Sequence, residues 1–373
     1  MTVPSARHVI LLVGPKGAGK STIGRLLSRT YGCAHVEPEV LWIEHAAERG
    51  AYADDASFER AGFARVAAAV EHALAASAIV VTDTTAASER SAELVARLAR
   101  AGTVHVVRFR AREATCRARI DARDAARQLP FDAALVARAH HRSEAARLEA
   151  STSVELDVER ALPAPLFLLP ALRAALAESG VLVTARAPVL TTERTVLRPW
   201  RDSDRAALAA MNADPVVAAQ LVAPLSLAES DALFETVSAG FETYGFGPWA
   251  LEVPGGHAFA GFCGLWVPTF EAPFLPAVEI AWRLSPSAWG HGYVTESARA
   301  VLAHAFDVLE LPEVVSFTSP RNARSLAVME RLGMVRDPAG DFEHPRVPVG
   351  HRLRPHVLYR ASRTAWNARR SAP

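Results

Sequence analysis

The sequence predicts an α/β chain with two domains: a parallel β-sheet sandwiched between helices, followed by a mixed α+β domain. The length of 373 residues favours two cores over one, since domains average about 150 residues. In the first half, buried strand patterns alternate with helical patterns, which is typical of a parallel sheet. In the second half, alternating apolar segments with many turn residues predict an antiparallel meander. We place the boundary so that the domains cover residues 1–182 and 183–373.

Each element of the first domain follows from its local pattern. Short apolar runs predict four strands, over 8–13, 78–82, 104–109 and 154–156. Helical patterns predict helices over 22–30, 88–101 and 165–178. Gly180 is a suitable helix stop.

The second domain is predicted in the same way. Strands are expected at 249–253, 259–267, 278–284 and 314–318. Helices are expected at about 203–213, 226–243, 295–309 and 322–332.

Composition excludes several classes of protein. Half of the residues are hydrophobic, which excludes disorder as the main state. The formal net charge of +1 provides no field that would hold a nucleic acid or an acidic membrane. The three cysteines are too far apart in the sequence for a disulfide framework. The apolar run at 9–13 is too short for a signal peptide or a bilayer span. We therefore expect a cytoplasmic protein with no membrane anchor and no general affinity for nucleic acid.

One glycine-rich loop contains both lysines of the chain, Lys16 and Lys20. Its sequence, GPKGAGKS, matches GxxxxGK[ST], in which backbone N–H groups surround phosphate oxygens. Lys20 is expected to reach the β- and γ-phosphates, and the Ser21 hydroxyl to bind Mg²⁺. The predicted ATP-binding residues are Gly14, Pro15, Lys16, Gly17, Ala18, Gly19, Lys20, Ser21 and Thr22.

Acidic residues that follow two of the strands are candidates for Mg²⁺ binding or proton transfer beside the bound nucleotide. Glu37 and Glu39 would face the same side if the chain is extended there. One could then hold Mg²⁺ through water while the other accepts a proton from an attacking hydroxyl; alternatively, both are solvated acids on a surface loop. Asp83 directly follows IVVT and is a candidate for Mg²⁺ binding or nucleophile alignment.

Arginines recur at four-residue spacing at Arg119, Arg123 and Arg127 and would share one helix face. A guanidinium cluster can spread the charge of a transferring phosphoryl group. The alternative is a solvated helix face.

These motifs resemble small P-loop kinases of the shikimate-kinase and polynucleotide-kinase-like group, over about residues 7–178. The group has an acidic D-x-D motif, a strand ending in Asp and a lid with R-x-x-x-R; here glutamates with an intervening proline replace D-x-D. The resemblance implies that Glu39 is the base and that Asp83 supports Mg²⁺ or the acceptor. It also implies that Arg119 and Arg123 form the lid clamp. The metal candidates are Ser21, Glu37 and Asp83.

A second set of motifs begins at Val278 with a strand, a turn and the glycine pair Gly290 and Gly292. Backbone amides at a glycine-rich helix start suit a pyrophosphate. Further on, Asn322 could cap a helix whose apolar face includes Leu326 and Met329.

Together these residues resemble the GCN5-related N-acetyltransferase family, especially the branch of ribosomal-protein N-terminal acetyltransferases. The resemblance spans about residues 188–362 and rests on LRPWRDSD, WGHGYVTE, NARSLAVMERLGM and FEHPRVPVGHRLRPHVLYR, in that order. It implies that Asn322 contacts the pantetheine arm of acetyl-CoA and that an irregular strand after Glu279 orients the thioester carbonyl. The residues implied for the pyrophosphate are Trp289, Gly290, His291, Gly292, Tyr293 and Val294.

Acetyl transfer requires a deprotonated amine and a proton for the departing thiolate. Glu279 is the candidate base, acting through water; alternatively it is a structural carboxylate. Family members often use a tyrosine as the proton donor, but Met329 stands at its place, and Ser325 is the nearest substitute. His344, His351 and His356 have the neighbours of a family loop and strand, so we expect no metal there.

The first hypothesis is a bifunctional enzyme that uses ATP and acetyl-CoA on small molecules carrying hydroxyl and amine groups. The second makes the ATP-binding domain a regulator of the acetyltransferase. A third assigns the pair to RNA ends or ribosomal-protein N-termini, and the balanced charge counts against RNA. A homodimer is among the arrangements that the sequence allows.

Overall fold

The computed structural model describes residues 6–86, 88, 90–121, 152–157, 165–181, 183, 185 and 187–370. The chain divides into two compact units, Met1–Thr184 and Ala185–Pro373. Each unit has its own sheet. Arg123 and Arg127 lie outside the described residues.

The N-terminal unit is built on a five-stranded sheet in the order β2-β3-β1-β4-β5. All four neighbouring pairs are parallel, which confirms the predicted sheet type. The strands are β1 His8–Val13, β2 Ala34–His35, β3 Ile79–Thr84, β4 Thr103–Arg110 and β5 Thr152–Asp157. The first strand is central, so the loop that follows it emerges from the middle of the sheet edge.

Six described helices accompany this sheet. They are α1 Lys20–Tyr31, α2 Pro38–Ala46, α3 Asp55–Ala76, α4 Ser91–Ala101, α5 Glu113–Asp121 and α6 Leu169–Glu178. The core joins Leu11 of β1 with Val70 of α3 and Leu98 of α4, all fully buried. The helix α6 ends before Gly180, whose φ of 77° is left-handed, as expected of a helix stop.

The longest helix among the described residues of this unit, α3, escaped the sequence prediction. Asp54 and Ser57 begin it with a reciprocal capping box, which satisfies two otherwise unpaired backbone donors. Many of its residues are alanines, which occur on all sides and blur the apolar stripe by which a surface helix is recognised. The strong capping signal at Asp54 is what could have located it.

The C-terminal unit has an eight-stranded sheet in the order β12-β13-β11-β10-β9-β8-β7-β6. Its strands are β6 Leu190–Thr191, β7 Val196–Arg198, β8 Pro248–Val253, β9 His257–Trp266, β10 Glu279–Leu284, β11 Glu313–Thr318, β12 Val335–Glu343 and β13 Pro355–Ser362. β8, β9 and β10 pair antiparallel in sequence order, which confirms the predicted meander. β10 and β11 form the parallel pair.

Helices flank this mixed sheet. They are α7 Arg205–Ala213, α8 Pro215–Ala218, α9 Leu227–Tyr244, α10 Tyr293–Ala303, α11 Ala323–Arg331 and α12 Arg363–Arg370. α7 and α9 meet around the buried Phe262 of β9, with Leu208 and Phe234 in the same cluster. The unit is therefore mixed α+β, as predicted. Within the described residues, no helix combines the length and apolarity needed to cross a bilayer.

Candidate functional site

The loop Gly14–Gly19 joins β1 to α1 and depends on its glycines. Gly17 and Gly19 have φ angles of 87° and 90°, which L-residues with side chains rarely adopt. A Cβ on Gly17 would lie 2.4 Å from the carbonyl oxygen of Cys116. The helix α1 starts at Lys20 with Gly19 as its N-cap and without a side-chain cap. Its first turn, with Lys20, Ser21 and Thr22, therefore offers N–H groups and a positive dipole end to an anion.

Lys20 and Ser21 each donate a hydrogen bond at this helix start. The Lys20 ammonium donates to the carbonyl oxygen of Pro15 at 3.0 Å, and the residue is buried. The Ser21 hydroxyl donates to Asp83 Oδ2 at 3.0 Å. Asp83, near the end of β3, is thereby brought to the loop, as the sequence predicted for a residue at that sheet edge.

Asp83 and Ser21 have the chemistry of a magnesium site. Burial raises the pKa of the Asp83 carboxyl, although the nearby Lys20 and the Ser21 hydroxyl counteract that rise. A divalent cation would remove the cost of burying the charged carboxylate. Mg²⁺ typically takes one or two protein oxygens together with phosphates and waters. Ser21 and Asp83 therefore fit Mg²⁺ beside a bound nucleotide.

The expectation that Glu37 and Glu39 stand side by side on extended chain is wrong. Pro38 is the first residue of α2 and Glu37 is its N-cap, because proline is well tolerated at the first helical position. Glu37 forms an ion pair with Arg25 at 3.3 Å. Glu39 instead contacts Lys16, with 2.5 Å between Nζ and Oε1. The two carboxylates thus have different cationic partners.

Arg119 on α5 reaches the loop, where its guanidinium donates to the carbonyl oxygen of Gly17 at 3.4 Å. This placement agrees with a clamp over a bound phosphate. Arg123, the second residue proposed for the clamp, lies outside the described residues.

The C-terminal unit has an opening between its two parallel strands. Glu279 pairs with Val315, and this is the one bridge between β10 and β11 among the described residues. From Ala281 onward, β10 is paired only with β9. The Ser316 hydroxyl donates to the carbonyl oxygen of Ile280 at 2.9 Å where the strands separate. The pairing of β10 with β9 is regular, so the expectation of an irregular strand after Glu279 is wrong. What is irregular is the other edge of β10, where the ladder with β11 stops after one bridge.

A glycine turn follows β10 and leads into α10. Gly290 and Gly292 both have φ of 81°, and Gly292 is the N-cap of α10 without a side-chain cap. Tyr293 and Val294 form the first turn, so this helix start also presents backbone donors. The ring of His291 stacks on Tyr293, with 5.3 Å between the ring centroids.

Arg194 forms hydrogen bonds that hold this turn in place. The sequence analysis did not identify this residue. Its guanidinium donates to the carbonyl oxygen of His291 at 3.0 Å and to Glu296 Oε2 at 2.7 Å. Burial alone would raise the pKa of Glu296, but hydrogen bonds from Thr192 and Arg194 outweigh it and hold the pKa below its usual range. The sequence pattern around Arg194 could not predict this contact, because its partner Glu296 lies about 100 residues away.

The Trp289 side chain turns inward. Its indole donates to the carbonyl oxygen of Leu284 at 2.9 Å, and it packs against the apolar cluster around Phe262. The guanidinium of Arg324 lies 4.3 Å from the ring centroid. Trp289 therefore anchors the turn, and its N–H donates to the carbonyl oxygen of Pro286 at 3.1 Å.

Glu279 lies at the point where the two parallel strands separate. Its side chain keeps some exposed surface, yet burial raises its pKa to about 8. No ion pair to Glu279 is found among the described residues. A carboxyl with this pKa exchanges a proton readily near neutral pH, which suits a general base.

Asn322 caps α11, as predicted. Its Oδ1 accepts from the Ser325 N–H at 3.3 Å, and its Nδ2 donates to the Thr318 hydroxyl at 3.1 Å. Ser325 is partly exposed in the first turn, whereas Met329 is buried one turn later. Any contact of Asn322 with a cofactor would use the remaining donor and acceptor capacity of its amide.

Two of the three late histidines lie together in an aromatic cluster. The ring centroids of His344 and His356 are 4.9 Å apart, and both contact Phe342. Burial is the main cause that lowers the pKa of His344 to about 4. In the part of the chain that the structure describes, no group of three or more His, Cys, Asp or Glu residues is arranged to hold a metal ion.

The sequence matches two families of known proteins. Residues 194–335 match the acetyltransferase (GNAT) domain, and residues 9–150 match an AAA domain. The FsC-acetyl coenzyme A-N(2)-transacetylase of Aspergillus fumigatus is 32% identical over 157 residues, which cover 39% of this chain and 65% of that protein. An uncharacterized N-acetyltransferase of Bacillus subtilis, YnaD, is 29% identical over 24% of this chain and 51% of its own length. The chain thus spans about half to two thirds of the length of these relatives.

Solved structures match about half of the chain. An acetyltransferase from Agrobacterium tumefaciens str. C58 has 30% identity and a TM-score of 0.38, covering 47% of this chain and 94% of that one. A GNAT-family acetyltransferase from Bacillus anthracis has 20% identity and a TM-score of 0.40, covering 48% and 99%. The family matches place an AAA domain in the N-terminal part of the chain and a GNAT acetyltransferase domain in its C-terminal part.

Proposed function

We propose that the C-terminal unit transfers the acetyl group of acetyl-CoA to an amine. The observation that carries this proposal is the separation of β10 from β11 directly before the glycine-capped start of α10. The opening gives a thioester arm a place beside free main-chain groups of β10. The helix start, 292–294, gives its pyrophosphate N–H donors and a positive dipole end. The Aspergillus relative carries acetyl coenzyme A and a nitrogen acceptor in its name, which supports this donor and this bond.

The reaction then proceeds as follows. The neutral amine attacks the thioester carbonyl carbon, a C–N bond forms, and the C–S bond breaks. Glu279 accepts the proton that the attacking nitrogen loses, through a water molecule. Ser325, at the start of α11, passes a proton to the departing thiolate and takes one back from water, since no tyrosine occupies the place of Met329. Both roles belong to the proposal.

We propose that the N-terminal unit binds ATP and transfers its γ-phosphoryl group to a hydroxyl. The support is the loop Gly14–Gly19 with Lys20, together with the Ser21–Asp83 pair, which fits Mg²⁺. Mg²⁺ would supply positive charge to the phosphate oxygens. Arg119 would add a second cation from α5. Glu39 would act as the base on the hydroxyl only after releasing Lys16.

Two alternatives use the same sites differently. ATP binding could gate acetyl transfer without phosphorylation, or the acceptors could be ribosomal-protein N-termini or RNA ends. We favour small cytoplasmic molecules bearing hydroxyl and amine groups as the acceptors.

Mass spectrometry of reaction mixtures tests the proposal directly. Purified protein is incubated with metabolite and amine-containing antibiotic pools, with ATP and acetyl-CoA supplied separately. Mass gains of one acetyl group with acetyl-CoA alone, and of one phosphoryl group with ATP alone, support both activities. Acetylation that requires ATP but consumes none indicates the regulatory alternative. Absence of any acetylated product, of small molecules or of ribosomal-protein peptides, contradicts the acetyltransferase proposal.

Asn322→Ala should weaken acetyl-CoA binding about fivefold, because one amide hydrogen bond is worth roughly 1 kcal/mol. Loss of the cap should also lower stability by about 1 kcal/mol. Asn322→Ser separates the two effects, since serine can still cap α11 but has no amide. We expect a near-normal melting temperature with weakened binding, measured by calorimetry. Unchanged affinity for acetyl-CoA in both variants would show that Asn322 is only a cap.

A further inference from the structure

Arg283 is a cation on the same sheet face as Glu279. Both belong to β10, and residues separated by an even number of positions point to the same side of a strand. Four positions correspond to about 13 Å between their Cα atoms. Arg283 stands opposite Phe262 of β9 in the register, on the side where α7 and α9 gather around Phe262.

The contacts of Arg283 are with neutral groups. Its Nη1 donates to Asn212 Oδ1 at 2.6 Å, and its guanidinium lies 5.4 Å from the centroid of the Phe262 ring. Asn212 is completely buried and donates in turn to the Ser230 hydroxyl at 3.0 Å. No carboxylate forms an ion pair with Arg283 in the described part of the C-terminal unit.

Two other arginines of this unit, unlike Arg283, form ion pairs with carboxylates. Arg198, which is 4% exposed, pairs with Asp204 at 2.8 Å and with Glu252 at 2.7 Å, and the Asp204 hydrogen bond raises its pKa. Arg360 likewise pairs with Glu313 and Asp337. For Arg283, burial without a counter-charge lowers the pKa to about 10.

This arrangement is costly unless something supplies the missing negative charge. A guanidinium has five N–H donors, and Asn212 accepts from one of them. The Arg283 side chain keeps part of its surface exposed, so a ligand can reach it. An oxyanion that met it there would form charge-assisted hydrogen bonds in a site with little competing water.

We propose that Arg283 binds an anionic group, such as a carboxylate, on the acceptor molecule while the amine of that molecule lies beside Glu279. This inference rests on the proposed acetyl transfer and names the substrate class of the same site. The acceptor is thus an amine that carries its negative charge several bonds away from the nitrogen. A phosphate of acetyl-CoA is the other anion that could reach Arg283, and the experiment separates the two.

The test uses pairs of acceptors that differ only in charge. ω-Amino acids from 4-aminobutanoate to 8-aminooctanoate are compared with the corresponding ω-amino amides, with acetyl-CoA as donor. Because a hydrogen bond to a charged group is worth about 1.5–3 kcal/mol, we expect kcat/KM to favour the acid of the best length by about 10- to 100-fold. Arg283→Gln should abolish this preference through the KM of the acids, and Arg283→Lys should keep part of it. Arg370→Gln, which removes a cation from the exposed pair with Asp307, should leave it unchanged.

Three results would overturn the inference. The first is that wild-type protein acetylates acids and amides equally at every length, and the second is that it binds none of the acids by calorimetry in the presence of acetyl-CoA. The third is that Arg283→Gln weakens acetyl-CoA binding without affecting the acid preference, which would assign Arg283 to the donor. Calorimetry of wild-type protein with acetyl-CoA alone keeps the proposed function separate, because failure there contradicts acetyl transfer itself. Melting temperatures confirm that each variant is folded.

Discussion

We expect Lys20→Ala to reduce ATP turnover by at least about 100-fold and to leave acetyl transfer at the wild-type rate. Removing one preorganised donor from a developing charge typically costs about 100- to 1,000-fold. Lys20 lies in the first turn of α1, buried beside the Pro15 carbonyl and near Asp83. With alanine there, the loop would retain its N–H groups but lose the side chain that is expected to follow the γ-phosphate. The measurement is ADP release and acetyl-CoA consumption on the same preparation.

Lys16→Ala is the matched control, because it removes the other lysine of the same loop. Lys16 points to Glu39, so we expect a loss below about tenfold. Equal losses in the two variants would mean that the loop needs only net positive charge. Unchanged ATP turnover in Lys20→Ala would contradict phosphoryl transfer at this loop. Loss of acetyl transfer in Lys20→Ala would instead support regulation of one unit by the other.

We expect Glu279→Gln to lower the rate of acetyl transfer by about 100- to 10,000-fold, the range typical of a lost general base. Glutamine keeps the shape of the side chain but cannot accept the proton. The raised pKa of about 8 fixes the sign of the pH effect. The carboxylate is the active form, so kcat/KM of the wild-type protein, calculated per neutral acceptor amine, should rise tenfold per pH unit below 8 and level off above it. The variant should lack this rise.

The control for Glu279→Gln is Glu313→Gln, on the neighbouring strand β11. Glu313 is also a carboxylate but is paired with Arg360, and its replacement should leave the pH profile in place. Stopped-flow or end-point detection of free CoA across pH 6–10 provides the measurement. If Glu279→Gln keeps both the rate and the pH rise, Glu279 is a structural carboxylate, the alternative that the sequence left open.

Local patterns predicted most of the elements because their causes are local. The buried run 8–13 and the glycines after it specify strand, loop and helix within about 25 residues. The same holds for the glycine turn before α10 and for the Asn322 cap. The prediction failed at Glu37 and Glu39, where Pro38 starts a helix, and at α3, where alanine hides the periodicity.

By itself, the sequence determined the two-domain α/β plan and the two glycine-rich loops, since both depend on residues that are adjacent in the chain. Tertiary structure alone decided which polar side chains meet: Ser21 with Asp83, Lys16 with Glu39, and Arg194 with Glu296. Among the described residues, it also left Arg283 without a carboxylate partner and opened the sheet beyond Glu279. These pairings join residues separated by 20 to more than 100 positions. A local sequence pattern cannot predict them, because folding decides which distant side chains come together.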